Sequence, residues 1–389
     1  MVSHTSHTAL TRPPAAVSLA AFTSSVDRFG VSPLLVILAL DFHVPLSVAV
    51  AVASVYFFTY GLSQPLWGML SDKFGRLTIM RVALTGALIC GLSSAFAPNL
   101  VLLTIARALT GGFFGAIVPA AITYVGDTTA LRHRQSALSD LMAAIAVGTA
   151  LATAAAGFLG QVFTWRVVFA LSATLALASL IPLFRLNEPD REHRTGVLAA
   201  LKLFFSDKWA VFVVCLAFVE GALVLGILTL LAPALEYQGI ETSFAGLSVA
   251  AYGVATLVFS RLVRPLTARL SGPQVVLLGG CCLVAGLGVV AVHLAVLTVV
   301  IAALLLGGTW AFMHTGLQSW ATQVVPDARG MTVAFFAGAL FAGSAVSTAV
   351  AGTLAEAGRW TLIFGAGSGL AVVLTLVAVA GLARYQVTR

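Results

Sequence analysis

Hydrophobic residues along this chain gather into runs of about 20, the length at which a helix crosses the hydrocarbon core of a bilayer. Twelve such runs are read: 16–40, 46–70, 78–97, 100–125, 136–160, 167–186, 210–235, 243–263, 274–294, 296–321, 331–354 and 361–383. Turn-forming residues punctuate them, among them Pro45, Pro98-Asn99, Gly239, Gly272-Pro273, Pro326 and Gly358. The short apolar/polar alternation of a membrane β-barrel is absent. One polar stretch is longer than the rest. Residues 187–208 hold Glu188, Asp190, Arg191, Glu192, His193 and Arg194. The predicted fold is an all-α membrane protein with twelve transmembrane helices in two pseudo-symmetric halves. The six-helix halves cover 16–186 and 209–384, joined by a cytosolic linker at 187–208, with cytosolic tails at 1–15 and 385–389.

Composition removes the soluble alternatives. Hydrophobic residues make up 60% of the chain and charged ones 9%, against roughly a quarter charged in soluble domains. A soluble enzyme, a nucleic-acid binder and a disordered chain are all excluded. The 36 glycines suit helices packed closely in lipid. All four cysteines lie inside apolar runs, which suits inert thiols and gives no disulfide framework or metal site. The net charge of +7 is informative through its placement. Arg12, Lys73, Arg76, Arg81, Arg132, Arg134, Arg185, Arg191, Arg194, Lys202, Lys208, Arg261, Arg264, Arg269, Arg329, Arg384 and Arg389 fall on one side, whereas the other side carries Arg166 and Arg359. The positive-inside rule then puts both termini in the cytosol. The amino-terminal segment lacks the pattern of a cleaved signal peptide and is read as a short cytosolic tail.

The halves repeat one another. Arg134, after the fourth run, and Arg329, after the tenth, correspond half a chain apart; so do Gly75 and Gly272, within two residues. Asp27 and Glu220 are lone acids in the first run of each half. Parallel repeats of this kind build one transporter architecture.

Three segments carry a family resemblance. Gly68-Met69-Leu70-Ser71-Asp72-Lys73-Phe74-Gly75-Arg76 resembles motif A of the major facilitator superfamily, Gly-x-Leu-x-Asp-Arg-x-Gly-Arg, with Lys73 the one departure. Leu103–Gly111, containing Arg107, resembles motif B of its proton-coupled members. Gly148, Ala152, Thr153, Ala156 and Gly157 stand where the antiporters' motif C has Gly-x-x-x-Gly-Pro-x-x-Gly-Gly, so Thr153 replaces the helix-bending proline. The nearest overall resemblance is to twelve-helix drug:proton antiporters. It implies alternating access, small-molecule substrates and energy from a proton gradient, with no cofactor. It also implies a multi-pass protein of the cell (inner) membrane, acting as a monomer. In motif A, Gly68 and Gly75 are expected to permit close helix contact and a tight turn. Asp72 and Arg76, with Arg134 in the repeated loop, are expected to form a cytosolic latch, Asp72 meeting a helix terminus or a nearby arginine.

Buried charge supplies the candidate chemistry. Asp27 lies about ten residues, or roughly 15 Å, into its helix. A carboxylate there takes up a proton when closed off and releases it when wetted, which couples proton flux to access. Arg107, in mid-helix, must meet a carboxylate, carbonyls or water, since a lone cation costs several kcal/mol in the bilayer; it can compete for the ionised form of Asp27 or hold it in a static pair. Arg28 points elsewhere, and Asp140 is its expected partner. Glu220 faces either the cavity shared with Asp27, where it would bind a proton or a cationic substrate, or a neighbouring helix. His314 and Gln318 are further cavity candidates. Aromatic rings attract lipophilic cations, which nominates Tyr56, Tyr60, Phe114, Phe218, Tyr252, Trp310 and Phe341. No nucleotide-binding Gly-x-x-x-x-Gly-Lys-Ser/Thr loop, HExxH motif or catalytic constellation appears, so no enzyme activity is expected. The expected function is proton-coupled export of lipophilic small molecules or drugs. The alternatives are a symporter or exporter of a specific metabolite, such as a sugar or biosynthetic product, and a non-transporting membrane sensor.

Overall fold

Twelve helices long and apolar enough to cross a bilayer follow in the expected order in a computed structural model: spans 1 to 12 cover Ala15–Asp41, Leu46–Phe74, Arg76–Ala95, Leu100–Thr128, Leu131–Val162, Trp165–Leu183, Lys208–Tyr237, Thr242–Leu262, Gly272–Val292, Val296–Val324, Pro326–Glu356 and Trp360–Val387. The structure describes residues 10–189, 197–267 and 269–388. The first nine residues, the linker charges Asp190, Arg191, Glu192, His193 and Arg194, and Arg389 lie outside the described residues, as does the side chain of Arg264. Among the described residues there is no β-strand. The chain is a multi-pass membrane protein.

Local chemistry sets the helix ends. Asn99 caps span 4, its Oδ1 accepting from Leu102 N at 2.9 Å, and Asp207 caps span 7 by accepting from Trp209 N at 2.8 Å. Pro33 cannot donate to the helix ladder. Span 1 therefore runs as an α-helix to Phe29, tightens at Ser32–Leu34 and resumes at Leu35. Span 5 begins at Leu131, five residues before its apolar run, because Arg132, Arg134 and Gln135 are good helix formers that the apolar pattern does not count. The linker is not wholly polar: Val197–Ser206 forms a helix. Its Phe204 stacks on Phe335 of span 11, ring centroids 4.6 Å apart.

The two halves meet along spans 2 and 11 and along spans 5 and 8. Polar contacts tie this seam at the end away from the linker. Gln161 Nε2 donates to Glu241 Oε2 at 3.1 Å, Ser243 N donates to Gln161 Oε1 at 2.8 Å, and Ser47 donates to Glu356. Ser32 Oγ donates to Thr229 O at 2.7 Å. Gly157 of span 5 and Gly246 of span 8 bring backbones together; a Cβ at Gly157 would lie 2.6 Å from Thr242 O, and one at Gly246 would meet Thr153 O. At the linker end the picture reverses. Gly68 and Gly330, near the linker ends of spans 2 and 11, have nothing within 4 Å of where a Cβ would stand. The motif A glycine at 68 thus makes no close helix contact here, contrary to expectation.

Candidate functional site

Asp27 projects from span 1 into the interior of the first half, where Arg107 of span 4 meets it. Arg107 Nη1 donates to Asp27 Oδ1 at 2.8 Å and Nη2 donates to Oδ2 at 2.9 Å, a bidentate pair with side chains 0% and 1% exposed. Ser172 of span 6 adds a donor to Oδ1 at 2.6 Å. The guanidinium lies between the rings of Tyr56 and Phe169, 4.6 and 4.7 Å from their centroids. Charge-assisted forks of this kind are the strong class of hydrogen bond, and both carboxylate oxygens are engaged. A narrow crevice between spans 1, 5 and 6, with room for about one water molecule, is lined in part by Asp27 and Ser172. Ser172 escaped the sequence reading, because one serine in an apolar helix carries no signal until its facing is known.

The second half repeats the arrangement with different chemistry. Glu220 of span 7, 0% exposed, meets His314 of span 10, whose Nδ1 lies 3.3 Å from Glu220 Oε2. The first and fourth spans of each half thus supply one buried acid and one basic partner. His314 stacks on Trp310 at 3.8 Å. Both helices widen to a π-helical turn here, at Ala222–Gly226 and Trp310–His314, the local insertion that re-aims side chains within a helix. Glu220 Oε2 thus faces His314, while its Oε1 is buried with no hydrogen-bond partner.

Arg28 does not pair with Asp140. Asp140 sits in the exposed linker-end stretch of span 5, while Arg28 is buried and donates from Nη1 to Tyr60 OH at 3.3 Å. Three rings surround its guanidinium: Phe29, Tyr60 and Phe341 at 4.8, 5.3 and 5.4 Å. Tyr60 and Phe341, nominated as receptors for a substrate cation, thus hold a cation of the protein's own. Tyr252 is buried beside Phe29, ring centroids 6.0 Å apart. Phe114 is buried in the first half, its carbonyl accepting from Ser24. Gln318 is half-buried one turn beyond His314. Phe218 is 37% exposed, beside span 11, where its carbonyl closes the space at Gly343.

The motif A loop forms a charged cluster in which the expected Asp72 and Arg76 are joined by Asp127 and Glu188, and not by Arg134. Arg76 pairs with Asp72 at 2.5 Å and with Asp127 of span 4 at 3.5 Å. The N-terminus of span 3 is taken by Glu188, which accepts from the amides of Arg76, Leu77 and Thr78. A carboxylate there satisfies orphan donors and complements the helix dipole. Arg134 makes no ion pair among the described residues, and its Nε has no partner; the loop places Asp127 nearer to Arg76. Gly75 behaves as expected, with φ 102°, and a Cβ there would strike the Glu188 carboxylate. Gly75→Ala is expected to cost about 1–3 kcal/mol, seen as a lower melting temperature of the detergent-solubilised protein. An unchanged melting temperature would remove Gly75 and Glu188 from the structural account.

Relatives extend this reading. The model of the Major Facilitator Superfamily matches residues 17–329. A triacylglyceride transporter of Mycolicibacterium hassiacum is 31% identical over 157 residues, 38% of this chain and 29% of that protein. The multi-drug resistance efflux pump PmrA of Streptococcus pneumoniae is 32% identical over 149 residues, 38% of this chain and 36% of the pump. The chain therefore spans about a third of the length of these curated relatives. Among solved structures, the partially occluded inward-open xylose transporter XylE from E. coli superposes with a TM-score of 0.74 at 16% identity, over 93% of this chain and 95% of that one. With twelve spans in two halves and a family match across most of its length, the chain belongs to the Major Facilitator Superfamily of membrane transporters.

Proposed function

We propose that this protein is a proton-coupled secondary transporter that exports lipophilic small molecules by alternating access. The observation that carries the reading is the bidentate Asp27–Arg107 pair with Ser172, closed off inside the first half. A proton reaching Asp27 must displace a guanidinium, and a guanidinium re-forming the pair must expel the proton. Such competition ties proton occupancy to the arrangement of spans 1, 4 and 6, provided the site opens to water in one state and closes in the other. Glu220 and His314 form a second buried pair able to take up a proton, placed in the half that must move against the first. The charge asymmetry of the loops supports a cytosolic linker and cytosolic termini, which would make the linker end of the seam its cytosolic end. Relatives named as efflux pumps support the outward direction. The protein is read as a monomer of the cell (inner) membrane.

The test is flux in proteoliposomes of the full chain, with an imposed pH gradient and a panel of lipophilic compounds. A subset is expected to move against its own gradient, and a protonophore is expected to abolish that movement. Transport indifferent to the pH gradient would reject proton coupling.

A further inference from the structure

Among the described residues one β-bridge forms, and it joins the amino-terminal tail to the corner between spans 4 and 5. Leu10 N donates to Thr128 O at 3.0 Å, and Ala130 N donates to Leu10 O at 3.3 Å, a parallel bridge centred on Thr129. The corner is shaped to receive it. Thr129 is extended, with φ −98° and ψ 135°, and 4% exposed, so Thr128 O and Ala130 N point to the same edge. Thr128 O is one of the last carbonyls of span 4, which the helix itself leaves without a partner; Leu10 N supplies one. The corner is also anchored from the other side, since Asp127 pairs with Arg76 of span 3 at 3.5 Å.

The other end of the tail is stiff and short. Only Thr11, Arg12, Pro13 and Pro14 separate Leu10 from Ala15, the first residue of span 1. Pro14, at φ −57° and ψ 137°, accepts on its carbonyl from Val17 N at 3.0 Å and Ser18 N at 3.1 Å, so it is fixed to the start of the helix. The five steps from Leu10 to Ala15 reach at most about 17 Å when fully extended. While the bridge holds, the start of span 1 stays within that reach of the span 4 terminus. Spans 1 and 4 are the helices that carry Asp27 and Arg107. Their linker-side stretches touch, and many buried positions there are alanine: 16, 20 and 21 in span 1, 116, 120 and 121 in span 4. Alanines let backbones approach, but each makes few contacts, so the packing alone resists separation weakly.

We propose that the amino-terminal tail is a strap that holds the linker ends of spans 1 and 4 together and so keeps water from reaching Asp27 and Arg107 from that side. Asp27 lies about 18 Å along span 1 from Ala15, at 1.5 Å per residue. Parting the two helices at the linker end opens the path that water and protons would take to the pair; the strap closes it. Two backbone hydrogen bonds, each of modest net strength, are weak enough to break and re-form within a transport cycle. The strap stands on geometry alone, whereas its gating of protons rests on the transport reading.

Two edits remove the bridge from opposite sides. Ala130→Pro deletes one donor and leaves the corner otherwise intact: φ is already −55° there, Thr129 before it is extended as proline requires, and the cap residue of span 5 gives no amide to its helix. Its carbonyl keeps its bonds from His133 N and Arg134 N. Deletion of residues 2–11 removes the tail and leaves the corner untouched. Spin labels at Ala15 and Leu131, both exposed, are expected to give one narrow distance in the otherwise unaltered full chain in liposomes. In both variants a component longer by about 5 Å, one helical turn, is expected to appear. Cargo-free vesicles of either variant should pass protons down an imposed pH gradient about tenfold faster than those of the unaltered protein, the scale of one to two lost hydrogen bonds. Unchanged distances in either folded variant overturn the strap. Longer distances without a faster leak, with pH-driven transport intact, overturn its closing of the path. If no compound moves and no variant leaks, the transport reading fails, while the longer distances still establish the strap.

Discussion

Asp27→Asn is expected to reduce pH-gradient-driven transport to the level of protein-free vesicles while substrate counterflow at equal pH remains measurable. Asparagine keeps the size of the side chain and one oxygen that can accept from Arg107 and Ser172, but it leaves the buried Arg107 without its counter-charge, which is expected to cost some stability, and it cannot exchange a proton at the working pH. Movement of the halves and substrate binding survive; the link to the gradient does not. Arg107→Ala strands the other member of the pair, a carboxylate that is 3% exposed, and removes the guanidinium's packing as well. Breaking one partner of a buried ion pair costs about 3–5 kcal/mol, so this variant is expected to lose thermal stability as well as transport. Combining it with Asp27→Asn should restore much of the stability and none of the coupling. Full gradient-driven accumulation by Asp27→Asn would dismiss the pair as the proton site.

Asp27 and Arg107 were legible in the sequence because an ionised group at mid-span has few affordable surroundings, and each announces the need for a partner. The span count and the break at the linker were legible for a similar reason: apolar length and charge placement are properties of the chain itself. Pairings were harder. Arg28 and Asp140 match in depth when it is counted from the start of the apolar run at residue 136. Span 5 in fact begins at Leu131, and Asp140 belongs to its exposed linker-end stretch. Glu220 and His314 each stood out, yet their meeting depends on two π-helical turns that no periodicity reveals. Glu188 was read as linker charge, whereas its role comes from the N-terminus of span 3 brought beside it by the fold. Ser172 is the quietest case: a hydroxyl becomes informative only when its partner is known.

Gly246→Val is expected to spread the end of the seam away from the linker and shift the protein toward its opposite state. In the present state the backbones of spans 5 and 8 touch through Gly157 and Gly246, with no room for a side chain at either. A valine there forces spans 5 and 8 apart, while spans 2 and 11 have space to close at the linker end, where Gly68 and Gly330 face nothing within 4 Å. Reversing a two-state population from 99:1 to 1:99 takes about 5.5 kcal/mol, and the spin-label populations read directly how much of that the valine's clash with Thr153 O supplies. Spin-label distances in the reconstituted protein should lengthen across residues 161 and 241 and shorten between the linker ends of spans 2 and 11. Gly68→Leu is the mirror experiment: it meets no atom in the present state, so it should fold normally, yet it should obstruct closure at the linker end and leave the present state dominant. That outcome would give the motif A glycine a purpose in the state where it is not in contact. Unchanged distances in folded Gly246→Val, or a shift in the same direction for both variants, would mean that the two ends of the seam do not open and close in alternation.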